Sequence, residues 1–113
     1  MKPARVKYPG GKEGKVLYRK KVTFVGKEVD GYSNVTDRII ILRAGASSRR
    51  QSEVLFHELL HQALDPLFLE RPLKPGDLEE VAIDTISRNM VEIWTRNPAV
   101  FSWIHAELTS NDT

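Results

Sequence analysis

Three observations predict an α+β fold with an N-terminal antiparallel or mixed sheet, a central helix, a second long helix and a short C-terminal helix. β-branched and aromatic residues cluster in short runs before residue 45. Helical apolar periodicity takes over after it. The 113 residues, 41% of them hydrophobic, fit a single domain spanning 1–113, since domains usually take about 100–150 residues.

The elements follow in order. Residues 1–14 hold Pro3, Pro9, Gly10, Gly11 and Gly14 among charges and read as a flexible arm. Between Lys15 and Val29, Val16, Leu17 and Tyr18 precede Val22, Phe24 and Val25, the pattern of one or two strands of mixed exposure. Asp30-Gly31 signals a turn, and Tyr32 to Thr36 begins another strand. Arg38-Ile39-Ile40-Ile41-Leu42, bounded by Asp37 and Ala44-Gly45, is a β-branched strand. Ser48-Arg49-Arg50-Gln51 has the S-x-x-Q form of a capping box, and Val54, Leu55, Phe56, Leu59, Leu60, Ala63 and Leu64 run almost all round the helix it starts. Such a helix is central and buried, and Asp65-Pro66 is expected to end it. Leu67 to Gly76 reads as a loop, Asp77 opens a helix reaching Asn97, and Asn97-Pro98 restarts a short helix from Ala99 to about Glu107 with Phe101, Ile104 and Leu108 inward.

Composition narrows the chemistry. With no cysteine, disulfides, iron–sulfur clusters and thiol nucleophiles are excluded, and His and carboxylate remain as transition-metal ligands. The start lacks the apolar stretch of a signal peptide and no later segment reaches the roughly 18 apolar residues of a membrane span, so a soluble, cytoplasmic protein is expected. Net charge is +2, yet residues 1–30 carry nine Lys/Arg against three Asp/Glu. A basic segment of that kind suits nucleic acid or an acidic partner, although Lys-rich strand faces also serve to prevent aggregation.

His57-Glu58-Leu59-Leu60-His61 carries the functional signal. Residues at i and i+4 share a helix face, so two imidazoles one turn apart can converge on one ion at roughly 2.0–2.1 Å each. Glu58 lies beside them, placed to take a proton from a water on the open side of the ion. About 0.006 chance occurrences are expected in a chain of this composition, so accident is a poor explanation. The expected cofactor is Zn²⁺, bound by His57, His61 and one more His, Asp or Glu. Glu79 is the leading third ligand, because Ala82, Ile83, Ile86, Met90 and Ile93 continue its helical stripe. Glu80 shares its phase with Asp84, Ser87 and Trp94 and sits at N3 of a capping arrangement. Asp65, Asp84 and His105 are the remaining candidates; Asp84 also suits hydrogen bonding to a ligating imidazole, although its position more simply fits an ordinary surface carboxylate.

From Arg38 to about Asn97 the chain resembles minimal gluzincins: small phage-type metallopeptidases, the minigluzincins, and the catalytic core of the ImmA/IrrE-type regulatory peptidases. The likeness rests on F-H-E-L-L-H after an apolar strand, then a helix bearing Glu79-Glu80-Val81-Ala82, an E-x-x-A spacing. It implies a zincin-like metallopeptidase domain with Zn²⁺ on His57, His61 and Glu79, Glu58 as general base, and a protein or peptide substrate paired with an edge strand at Arg38 to Leu42. The oxyanion stabiliser is open among Tyr18, Tyr32, Arg43 and His105. The alternative is a catalytically weak or latent zinc-stabilised regulatory protein that binds a partner or nucleic acid through its basic N-terminal segment.

Overall fold

The computed structural model describes residues 2–70 and 78–110, with side chains throughout except at 65–70 and 78–80. In chain order it comprises β1 (Arg5–Tyr8), β2 (Lys12–Arg19), β3 (Thr23–Phe24), β4 (Lys27–Glu28), β5 (Gly31–Asn34), β6 (Ile39–Arg43), α1 (Ser48–Glu70), α2 (Leu78–Arg96) and α3 (Pro98–Thr109). The class is α+β: a mixed sheet ordered β1-β2-β6-β5, a separate β3–β4 ribbon, and the three helices. No helix among the described residues is long and apolar enough to cross a membrane.

The arm expected over residues 1–14 is largely sheet. Gly10 and Gly11 adopt φ of 79° and 73°, where glycine alone is unstrained, and fold β1 back antiparallel on β2 with Tyr8 opposite Lys12. Val6 and Tyr8 point into the core while Arg5 and Lys7 alternate outward, so the glycines marked a hairpin. Pairing β2 with β6 in parallel, Lys15 opposite Ile39 through Arg19 opposite Arg43, makes β6 an interior strand. The edge strand placed at Arg38 to Leu42 is therefore corrected: β5, antiparallel to β6, is the edge on that side.

The inner face of the sheet, with Val6, Tyr8, Val16, Ile40 and Leu42, closes on Val54, Leu55, Leu59 and Ala63 of α1. Ile93, Val100, Phe101, Trp103 and Ile104 extend that core through α2 and α3. Leu108, expected inward, is 36% exposed. Ser47 caps α1, its Oγ accepting from Arg50 N at 3.1 Å, which displaces the expected Ser48 box. Gln51 turns inward instead, and its Nε2 donates to the Arg43 carbonyl at 2.9 Å. Nor does α1 end at Asp65-Pro66; its backbone stays helical to Glu70. An interior proline costs one i→i−4 bond, here to the Gln62 carbonyl, which weakens a helix without forbidding it.

In α2, Ala82, Ile86, Met90 and Ile93 form the partly or fully buried stripe, whereas Ile83 is 56% exposed. Asn89 Nδ2 donates to the Ala63 carbonyl at 2.8 Å, and Trp94 shares a recess with Phe56, so α2 runs antiparallel to α1. Asn97 locks the α2–α3 corner to β1, accepting from Lys7 N at 2.8 Å and donating to Lys7 O at 2.7 Å.

Candidate metal centre

One turn of α1 separates His57 from His61, and their Nε2 atoms stand 3.1 Å apart with the rings edge to face. Two nitrogens each about 2.0–2.1 Å from one ion at a tetrahedral angle lie roughly 3.3–3.4 Å apart, so the pair fits a shared zinc within a few tenths of an ångström. Both imidazoles are exposed, His57 by 66% of its side chain. Of the three polar side chains of the motif, Glu58 alone is buried.

Glu58 is 7% exposed, and β5 supplies its partner: Ser33 Oγ donates to Oε1 at 2.8 Å. That bond leaves Oε2 directed toward the histidines, 4.0 Å from His57 Nε2. The strand comes this close because Gly31 has no side chain; a Cβ there would lie 2.6 Å from Val54 Cγ1 and 2.7 Å from the Ile41 carbonyl. Arg43 N donates to Asp30 O, which fixes the alternation of the antiparallel ladder. Tyr32 and Asn34 consequently bond to β6, and the N–H and C=O of Gly31 and Ser33 face the open edge.

Two recesses meet at Glu58. One of about 610 Å³ holds Glu28, Asp30, Arg50 and Glu53. The other, about 500 Å³, holds Phe24, Tyr32, Val35 and Leu64 beside both histidines. The Arg50 and Arg43 guanidiniums, bonded to Asp30 at 2.7 and 2.9 Å, hold its carboxyl below the usual carboxylate range. The same bond raises the Arg50 pKa further.

Among the described residues no third His, Asp or Glu joins the histidine pair. Asp84 pairs with Arg88 on the exposed side of α2 and does not orient an imidazole. His105 lies by Trp94 and Phe101 at the α2–α3 corner. The side chains of Glu79, Glu80 and Asp65 lie outside the described residues. Of the oxyanion candidates, Tyr32 lines the recess with the histidines, whereas Tyr18 donates to the Pro3 carbonyl at 2.7 Å and Arg43 is engaged with Asp30.

Ser33 is the site residue that sequence reasoning missed. A serine 25 positions from its carboxylate carries no local signal, and only the packing of β5 on α1 joins them. Compared with known protein families, characterised proteins and solved structures, the chain matches none.

Proposed function

We propose that the protein is a zinc-dependent peptidase acting on an extended peptide or protein segment. The observation that carries this reading is the convergence of His57 and His61 Nε2 at 3.1 Å beside a buried Glu58 that an edge-strand serine holds in place. A zinc ion on the two imidazoles would supply Lewis acidity and bring the pKa of a water toward about 7. Glu58, anchored through Oε1, uses Oε2 to accept the proton of the attacking water and return it to the leaving amine. The free backbone groups of Gly31 and Ser33 pair with the substrate main chain by β-augmentation.

For the third ligand, phase and axial distance point in opposite directions. The stripe Ala82, Ile86, Met90 and Ile93 counts back to position 79 and not to position 80, which supports Glu79. Yet the Asn89 contact to Ala63 sets the antiparallel register, and Glu79 is ten residues, about 15 Å of helical rise, up α2 from Asn89. Ligation by Glu79 requires α2 to draw back along α1. That register favours a second reading, a weak or latent zinc-binding regulatory protein that engages a partner or nucleic acid through Arg5, Lys7, Lys15 and Arg19 of β1 and β2.

Purified, zinc-loaded protein incubated with a mixture of synthetic peptides, read by mass spectrometry for new termini, separates the two. Cleavage by the wild type and its loss in Glu58→Gln, with zinc content unchanged, is the expected result. Undiminished cleavage by Glu58→Gln removes Glu58 from the reaction. No cleavage by the zinc-loaded wild type selects the latent reading.

A further inference from the structure

Beside the β1–β2 turn, Lys12 and Arg38 together with Gln62 of α1 and Asn89 of α2 line a smaller recess of about 110 Å³. We propose that it binds a small oxyanion, a phosphate or a carboxylate group, at Lys12, Arg38 and Gln62.

Gln62 gives the first reason. Its side chain is 2% exposed and lines the recess, and among the described residues neither Nε2 nor Oε1 has a hydrogen-bond partner. Buried polar side chains are almost always partnered, so an amide left open at a recess marks the place of a polar occupant. The second reason is charge: Lys12 and Arg38 line the same space, and among the described residues no carboxylate does. Neither cation forms an ion pair among the described residues.

The way the recess is built agrees. Arg38 adopts φ of 54°, a left-handed conformation costly for a residue with a side chain, and its guanidinium carbon sits 5.1 Å from the centre of the Tyr8 ring. Gly14 makes that closure possible, since a Cβ there would meet the Arg38 carbonyl at 2.3 Å and Tyr8 Cε2 at 2.8 Å. Burial pushes the Tyr8 phenol up to about 12, so it stays a neutral donor through the physiological range. A space of this size holds roughly four waters at about 30 Å³ each, which suits one phosphate or carboxylate group. An anion there accepts from the Gln62 amide, Lys12 and Arg38 together, which is charge-assisted recognition.

Thermal unfolding in sodium phosphate and in sodium acetate, against sodium chloride at matched ionic strength, tests the site without calling on zinc or cleavage. A Tm rise above the chloride control is expected in at least one of the two, and which one identifies the group as tetrahedral or planar. Arg38→Gly suits the left-handed backbone while removing the guanidinium, and Lys12→Gln removes the other cation at an exposed position. Each is expected to weaken anion binding at least tenfold and to remove the rise. A wild type that gains nothing over chloride overturns the proposal, as does a rise of wild-type size in either variant, and water is then the occupant of Gln62.

Discussion

At the residue scale, the three side chains of the motif are held in different ways. The histidines rely on helix geometry, since a spacing of four residues brings Nε2 to Nε2 at 3.1 Å. Glu58 relies on a neighbour, because a 7% exposed carboxylate needs a donor and Ser33 provides it. A hydrogen bond to a charged acceptor contributes roughly 1.5–3 kcal/mol, enough to fix one rotamer against its competitors. In the proposed reaction Ser33 is therefore a positioning residue for Glu58. Ser33→Ala is expected to lower kcat by about tenfold to a hundredfold, at 1.36 kcal/mol per tenfold, with KM and zinc content unchanged. Ser33→Thr, which keeps the hydroxyl and suits a strand, is expected to restore most of the rate. Steady-state kinetics on a cleaved peptide decides this, and an unchanged kcat in Ser33→Ala excludes the positioning role.

At the scale of elements, what was legible depended on whether the information is local. Helix α1 and its histidine pair were readable because the i,i+4 relation lies within one stretch of chain, and the stripe of α2 was readable for the same reason. The place of β6 was not, because its interior position depends on β2, and β2 depends on a hairpin whose glycines also fit an irregular arm. Asp30-Gly31 carries a turn signal, yet Gly31 opens β5 and is bare so that the strand can approach Val54. Pro66 misled because its penalty of about 3 kcal/mol is one that surrounding packing can offset. The third ligand remained beyond local reasoning, since phase fixes a helix face and says nothing about how far one helix slides on another. Zinc affinity measured by competition with a chromogenic chelator addresses that register. If α2 draws back to the histidines, Glu79→Ala loses at least tenfold in affinity and Glu80→Ala stays within twofold of wild type. Equal affinity in Glu79→Ala and wild type leaves α2 in the register set by Asn89 and removes Glu79 from the ligand set.

At the scale of the whole molecule, a metal on the histidine pair would act on a fold that its core already supports. The buried cluster from Val6 and Tyr8 through Leu55, Leu59, Ile93 and Phe101 spans the sheet and all three helices, and neither histidine belongs to it. Asn97 joins residues 90 positions apart with bonds of 2.7–2.8 Å to Lys7, again without the motif. This differs from small zinc domains in which metal binding is the folding free energy. Zinc is accordingly expected to add stability by mass action alone, about 2.7 kcal/mol at a hundredfold excess over Kd and about 4.1 at a thousandfold. For a chain of this length that corresponds to a Tm rise on the order of 10 °C. In EDTA the far-UV circular dichroism should keep its α+β shape while Tm falls by that amount. His57→Ala and His61→Ala should show the lower Tm with or without zinc, and Glu58→Gln should keep the zinc-dependent rise because Glu58 lies beside the ion and not on it. Loss of secondary structure on chelation at 25 °C would mean that the metal staples the fold and that the core does not stand without the site.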